Sequence, residues 1–301
     1  MRHSAFRIVQ TALYECANAV RSRRAIVILA LYLVSSVFCM TGTISLLGKM
    51  ESELANVLQL PESERTGVIS ATLWKSKPFQ RMVRKAVDND LVYEDIRGRH
   101  PAELIYGWFA FLFAPLLAVL VASNRIADDL RSGAVRYAIV RVTRLEWTLG
   151  KYIGQVLMVA LALAVSAMGA WGVAAVRLSG IGVLELLPSM FGWSARAGIY
   201  ALAWLGMAMG VSHITHSGNR ATGLALFALV LLEVWPFLLR LWGGWLDAPW
   251  LQHFDILAPA TLGHALWRQS LVPLLAGGVQ LAALGLFYLM LGHVVFGRRD
   301  A

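Results

Sequence analysis

Charge is what this chain has least of. Asp, Glu, Lys and Arg make up 15% of its 301 residues, against 58% for the hydrophobic types, where ordinary globular domains carry about 25% charged residues. So little polar surface cannot cover a water-soluble fold of this size. Cysteine is almost missing too: Cys16 precedes the first apolar run and Cys39 lies inside it. That placement argues against a disulfide between them, and no CxxC or Cys/His framework offers a zinc site. No GxxxxGK[ST] loop occurs, which excludes a P-loop ATPase within the chain. Paired carboxylates and a Ser–His–Asp arrangement are absent, as are internal repeats and low-complexity tracts. The alternation of a β-barrel strand is missing as well, because the apolar runs are continuous.

What remains is long hydrophobic runs, several reaching the roughly 20 residues that cross a bilayer as helix. Six spans are predicted, at 25–47, 105–122, 152–176, 197–211, 221–239 and 271–296, giving an all-α polytopic membrane protein. The fourth is the shortest and is rich in Gly and Ala, so its start could fall a few residues earlier. The first is too long and too far from the N-terminus for a signal peptide and is expected to stay as an anchor. Lys and Arg crowd alternate ends: Arg2, Arg7, Arg21, Arg23 and Arg24 before span one, six basic residues from Arg125 to Lys151, and Arg298 with Arg299 at the end. The positive-inside rule then puts both termini and the 123–151 loop in the cytoplasm. Positive-inside bias and the anionic lipid bilayer account for the net charge of +9 without a nucleic-acid partner.

Outside the spans, Phe6, Val9, Leu13 and Val20 recur at helical spacing, so residues 1–24 are expected to form a cytoplasmic interfacial helix. Residues 48–104 should be a small helical external domain: "MESELANVL" and "FQRMVRKAV" place apolar residues three and four apart, with Pro61, Pro78 and Pro101 as breaks. Too small to bury much core alone, it should pack on the spans or on a second copy. Trp235, Trp242, Trp245, Trp250 and Trp267 read as anchors at the outer interface, around an external loop at 240–270.

The 123–151 loop contains "IADDLRSGAVRYAIVRVTRLEWTLGK". Ile126, Leu130, Val135, Ile139 and Val142 can share one helical face, with Arg131, Arg141 and Arg144 projecting elsewhere. On physics alone this is either a surface helix offered to a cytosolic partner or a solvated basic loop that enforces topology. Its pattern of an acid, a glycine four residues on, an amphipathic stretch, an Arg and a Lys opening the next span resembles the permeases of type 2 ABC transporters. Here the pattern reads Asp129, Gly133, Tyr137, Arg144 and Lys151. Two positions depart from the family's usual form, Asp129 for Glu and Ala134 for Thr, while the charge and the glycine stay. The interfacial helix, the external domain between spans one and two and the six-span layout agree with the family, and "DILAPATLGHALW" resembles its re-entrant external elements.

The resemblance implies a membrane-spanning permease subunit of an ATP-driven transporter, an exporter of the bacterial inner (plasma) membrane. It would couple through residues 126–151 to a separate cytosolic ABC ATPase subunit, with Asp129, Arg131, Gly133, Arg136, Tyr137 and Arg144 as the ATPase-coupling residues. A second permease copy, the same or related, would complete a dimer. The chain would not itself be an enzyme and would hold no cofactor, ATP being bound by the partner. The competing class is a polytopic membrane enzyme or accessory protein with no ATPase.

Several polar residues stand out in the apolar phase. Glu233, three residues before Pro236, is an ionisable group at membrane depth and a candidate for the translocation path; the plainer alternative is a Glu near the outer interface bonded to a neighbour. His213 and His216 have the spacing of metal ligands but no acid nearby, and His253, Asp255 and His264 weigh similarly, so no metal site is expected. Gly206 and Gly210 form a GxxxG suited to close helix packing.

Overall fold

The computed structural model describes residues 2–58, 77–87, 90–178, 183–245 and 247–298. Every regular element among them is a helix, and six are long and apolar enough to cross a membrane. Helix α1 (Arg2–Arg21) is separated from α2 (Arg23–Leu58) by Ser22. The Ser22 hydroxyl accepts the Ala25 N–H at 3.2 Å, relieving one of the open donors at the start of the new helix. Two short helices follow, α3 (Lys77–Val87) and α4 (Asp90–Ile96), then α5 (Pro101–Ala122). Pro101 suits a first helical position, and His100 caps it, its Nδ1 accepting the Ala102 N–H at 3.2 Å. Burial pushes the His100 imidazole below its ordinary pKa, which keeps the ring neutral and able to accept that bond.

Helices α6 (Arg125–Ser132) and α7 (Ala134–Ile139) then form an elbow. The rest of the bundle is α8 (Arg144–Arg177), α9 (Val183–Ile214), α10 (Gly218–Trp245) and α12 (Leu271–Gly297). Between α10 and α12 run a 3-10 turn (Pro249–Leu257), α11 (Pro259–Gly263) and a second 3-10 turn (His264–Trp267). Helix α9 starts at Val183 rather than in the region of Ala197, where the apolar pattern alone begins it. Its first turns hold Glu185, Pro188 and Arg196 and give it the least apolar of the six candidate spans. Tertiary packing compensates: Leu186, Met190 and Trp193 are buried, and the Arg196 guanidinium lies over the Trp193 ring at 4.9 Å.

Helix α9 is the bundle's centre, with Trp204, Leu205 and Met209 fully buried. It meets α12 backbone to backbone. A Cβ on Gly206 would collide with the Gly285 carbonyl, and one on Gly292 with the Gly210 carbonyl. The GxxxG of α9 therefore finds a matching pair of glycines on α12. In contrast α10 is loosely held, and Phe227, Val230 and Phe237 stand exposed along it.

The connections sort into two ends. One end carries the start of α2, the α6–α7 elbow, the α9–α10 turn and the end of α12; there Asp128 lies against Gly218 and Arg144 donates to the Gly297 carbonyl at 3.0 Å. The other end carries α3, α4 and the α10–α12 connection. Val92, Tyr93 and Ile96 bury α4 against the bundle, and Asp95 pairs with Arg268 at 2.6 Å. Part of the 48–104 region thus packs on the spans; its "MESELANVL" stretch continues α2, while residues 59–76 lie outside the described residues. The α10–α12 connection turns back on the bundle, burying Leu266 and bringing Trp267 against Trp193 (4.7 Å) and Phe111 (4.9 Å). Trp242, Trp245 and Trp250 stay exposed at this end, and Trp235 Nε1 donates to the Phe254 carbonyl at 3.1 Å, as suits amphipathic rings at a membrane surface.

Candidate functional site

At the basic end, the elbow owes its shape to one residue. Gly133 adopts φ 72°, ψ 6°, the left-handed region open to glycine at little cost. It ends α6, starts α7, and so replaces the single continuous helix that the apolar spacing also permits. The inner face of the elbow is fixed by burial of Ile126, Ala127 and Val135, with Leu130, Ile139 and Val142 packed at the edge of the core. The Ala127 N–H donates to Ser212 Oγ at 3.0 Å, tying α6 to α9.

Beneath the elbow is a charged junction. Lys151 Nζ lies 2.7 Å from Asp129 Oδ2 on α6 and 2.8 Å from Glu15 Oε2 on α1. Gln155 Nε2 donates to the other Glu15 oxygen at 2.9 Å, and the ammonium also lies 5.3 Å from the Trp147 ring centroid. The Lys151 and Glu15 side chains are 7% and 5% exposed and that of Asp129 31%. Three segments are thereby joined at one ammonium. The approach of α1 that this requires is made possible by Gly150 and Gly154, where a Cβ would press on Thr11 and Glu15.

Leaving the elbow, Thr143 and Glu146 form a reciprocal cap at the start of α8: the Glu146 N–H donates to Thr143 Oγ1 at 3.2 Å and the Thr143 N–H to Glu146 Oε2 at 2.9 Å. Arg144 turns toward the end of α12, where it meets the last carbonyls and sits 5.3 Å from the Phe296 ring centroid. Of the six elbow residues singled out from sequence, Asp129 and Arg144 are thus engaged within the chain and Gly133 makes the bend. Arg131, Arg136 and Tyr137 face outward. Tyr137 and Val140 are 83% and 84% exposed, forming an apolar tip flanked by arginines.

The junction was only half visible beforehand. Lys151 stood out as a cation opening a span, but its partners lie 22 and 136 residues away, with no periodicity linking them. Nothing in the apolar spacing of residues 1–24 marks Glu15 as a partner for Lys151. The spacing Gly150–Gly154 was a usable signal, since a second GxxxG at the start of a span marks a close crossing.

His213 lies near the same end. Its ring nitrogens face Met209 O at 2.8 Å and Thr148 Oγ1 at 3.3 Å, and Thr148 Oγ1 also meets His293 Nδ1 at 3.1 Å. Among the described residues no group of three or more His, Cys, Asp or Glu side chains is placed to hold a metal ion. Glu233 occupies a separate place, the wall of a cleft in the flank of the bundle, where Tyr200 Oη donates to its Oε1 at 3.4 Å.

No curated protein matches the chain. The model of the family described as ABC-2 family transporter protein matches residues 10–301, from the middle of α1 through every span, and the chain belongs to that family: it is a multi-pass membrane permease of an ABC transporter.

Proposed function

We propose that this ABC-2 family permease is driven through its α6–α7 elbow by a separate cytosolic ATPase subunit, works as a dimer of permease chains, and exports its cargo across the bacterial inner membrane. The observation that carries the coupling reading is the Glu15–Lys151–Asp129 junction. It fastens the elbow to α1 and α8 through short ionic contacts, so a push on the tip moves both helices rather than bending a loop. The tip has the form of a docking knob: Tyr137 and Val140 stand clear of the core with Arg131 and Arg136 beside them. Aromatic and arginine side chains are enriched among residues that dominate interface energies. Nucleotide-driven closure of the partner would then rock packed helices against one another, a rigid-body transition of the kind that bistable interfaces support. Export is the direction that the likeness to type 2 permeases favours.

The expected result is specific to the tip. Tyr137→Asp with Val140→Asp alters two exposed positions and should leave folding and insertion unchanged. It is expected to reduce co-purification of the ATPase by roughly tenfold or more, the scale of losing an interface hot spot. Retention of the ATPase by the double variant would refute coupling through this elbow.

The orientation has its own test. With the basic end in the cytoplasm, a cysteine at Lys77, which is exposed on α3, should react with a membrane-impermeant maleimide added outside spheroplasts. Labelling only after permeabilisation would reverse the topology.

A further inference from the structure

The flank of the bundle holds a cleft of about 540 Å³ between α5, α9, α10 and the α11 connection. This lies within the roughly 300–1,000 Å³ of sites that enclose a small organic molecule. Its walls are almost wholly apolar and aromatic. Trp108, Phe111 and Leu112 come from α5, Tyr200 from α9, and Trp267 closes the end nearest α4. Trp108 is 42% and Leu112 72% exposed, so the mouth opens sideways, midway along α5, where the protein faces acyl chains.

Into this apolar space projects one carboxylate. Glu233, midway along α10, has a hydrogen bond from Tyr200 Oη, and no lysine or arginine lines the cleft among the described residues. Two of the basic residues at that end are engaged elsewhere: Arg268 with Asp95 and Arg196 over Trp193. His264 is the one other ionisable side chain besides Tyr200 on the lining among the described residues. An acid at membrane depth with no lysine or arginine beside it is costly and calls for a cation or a proton. Trp108 and Trp267 share the lining and can add a second attraction, since the face of an aromatic ring holds a positive charge within about 6 Å of its centroid.

From this combination we infer that the cleft is a binding site for lipophilic monocations, molecules with an aromatic or branched apolar body and one amine, ammonium or phosphonium centre, which enter sideways from the bilayer and place their charge against Glu233. Among the described residues the lining offers no lysine or arginine, only the His264 imidazole beside the Glu233 carboxylate. This disfavours a phospholipid headgroup, because its phosphate would lack a fixed positive partner in an apolar wall. This assignment rests on the permease reading and names the class of its cargo.

The test needs no ATPase. The full chain in nanodiscs of zwitterionic lipid is titrated with radiolabelled tetraphenylphosphonium, with tetraphenylborate, of nearly the same shape and opposite charge, as the matched probe. Saturable binding of the phosphonium above that of empty nanodiscs is expected, and none of the borate. Glu233→Gln should weaken phosphonium binding by more than roughly tenfold, the loss that follows removal of one member of a desolvated charge pair. Glu233→Asp keeps the charge and should stay within about threefold of wild type, which separates loss of charge from loss of fold. Equal binding of both probes, undiminished binding by Glu233→Gln, equal losses in both Glu233 variants, or no saturable binding at all would each overturn the assignment. A chain that fails here but still captures its ATPase through the elbow loses only its substrate class.

Discussion

Replacing Lys151 with methionine is expected to destabilise the permease by about 3–5 kcal/mol, the usual cost of removing one partner from a buried ionic group. The substitution leaves Glu15 and Asp129 facing each other across an apolar gap, with the Glu15 side chain only 5% exposed. Protonation of one or both carboxyls caps the loss, because neutralising a buried acid costs less than keeping it charged and unpaired. The measurement is thermal unfolding of the detergent-solubilised chain beside the wild type. Adding Glu15→Gln and Asp129→Asn to Lys151→Met should recover most of the stability, since a buried ionic group exchanged for neutral ones of similar volume is often close to neutral overall. A Lys151→Met chain within about 1 kcal/mol of wild type would mean the junction is wet and works like an exposed pair, worth about 0–1 kcal/mol. In that case the elbow would not be rigidly fastened.

The second large effect belongs to the crossing of α9 and α12. Gly206→Val is expected to separate the two helices, because the new side chain would have to occupy the place of the Gly285 carbonyl. The obstacle is backbone and cannot rotate away, so the cost should reach or exceed the roughly 1–3 kcal/mol of ordinary overpacking. In a bilayer there is little hydrophobic drive to hold separated helices together, and close packing of small residues supplies most of the association. Gly285→Val should behave alike, since its Cβ would strike the Leu202 carbonyl. Gly223→Ala on α10 is the control: nothing lies within 4 Å of a Cβ there, and alanine favours helix by up to about 1 kcal/mol over glycine. Melting temperatures and monodispersity after extraction check all three. A well-behaved Gly206→Val chain would show that the crossing opens easily.

These two sites also show what could be read from residues alone. The spans were legible because about 20 apolar residues in a row admit few other structures, and Gly206 with Gly210 announced a close crossing. Their partners Gly285 and Gly292 lie seven residues apart on α12, a spacing with no motif of its own, so only the fold reveals the match. The start of α9 was hidden because Glu185, Pro188 and Arg196 lower the hydropathy of a segment that tertiary contacts nevertheless hold in the core. The elbow's glycine was visible and its neighbours' roles were not: a sequence displays the charge of Asp129 and Arg144 but not whether each is directed inward or outward. Glu233 was conspicuous for its depth, whereas the aromatic cleft around it gathers residues from five separate segments.

Helix α1 carries a consequence of a different kind. Its inner face is held to α8 through Glu15 and the glycines at 150 and 154, while Phe6, Val9, Leu13 and Tyr14 point away from the protein. A row of that kind lies in the acyl boundary of a leaflet. Under the coupling proposed above, the bilayer surface acts as a datum for the elbow: the height at which lipid holds α1 sets the height at which Tyr137 would be offered to the ATPase. On that proposal, leaflet thickness and lateral pressure would become inputs to the power stroke. A detergent micelle, with no flat surface to define that height, would leave ATP hydrolysis and transport out of step even when every subunit is present.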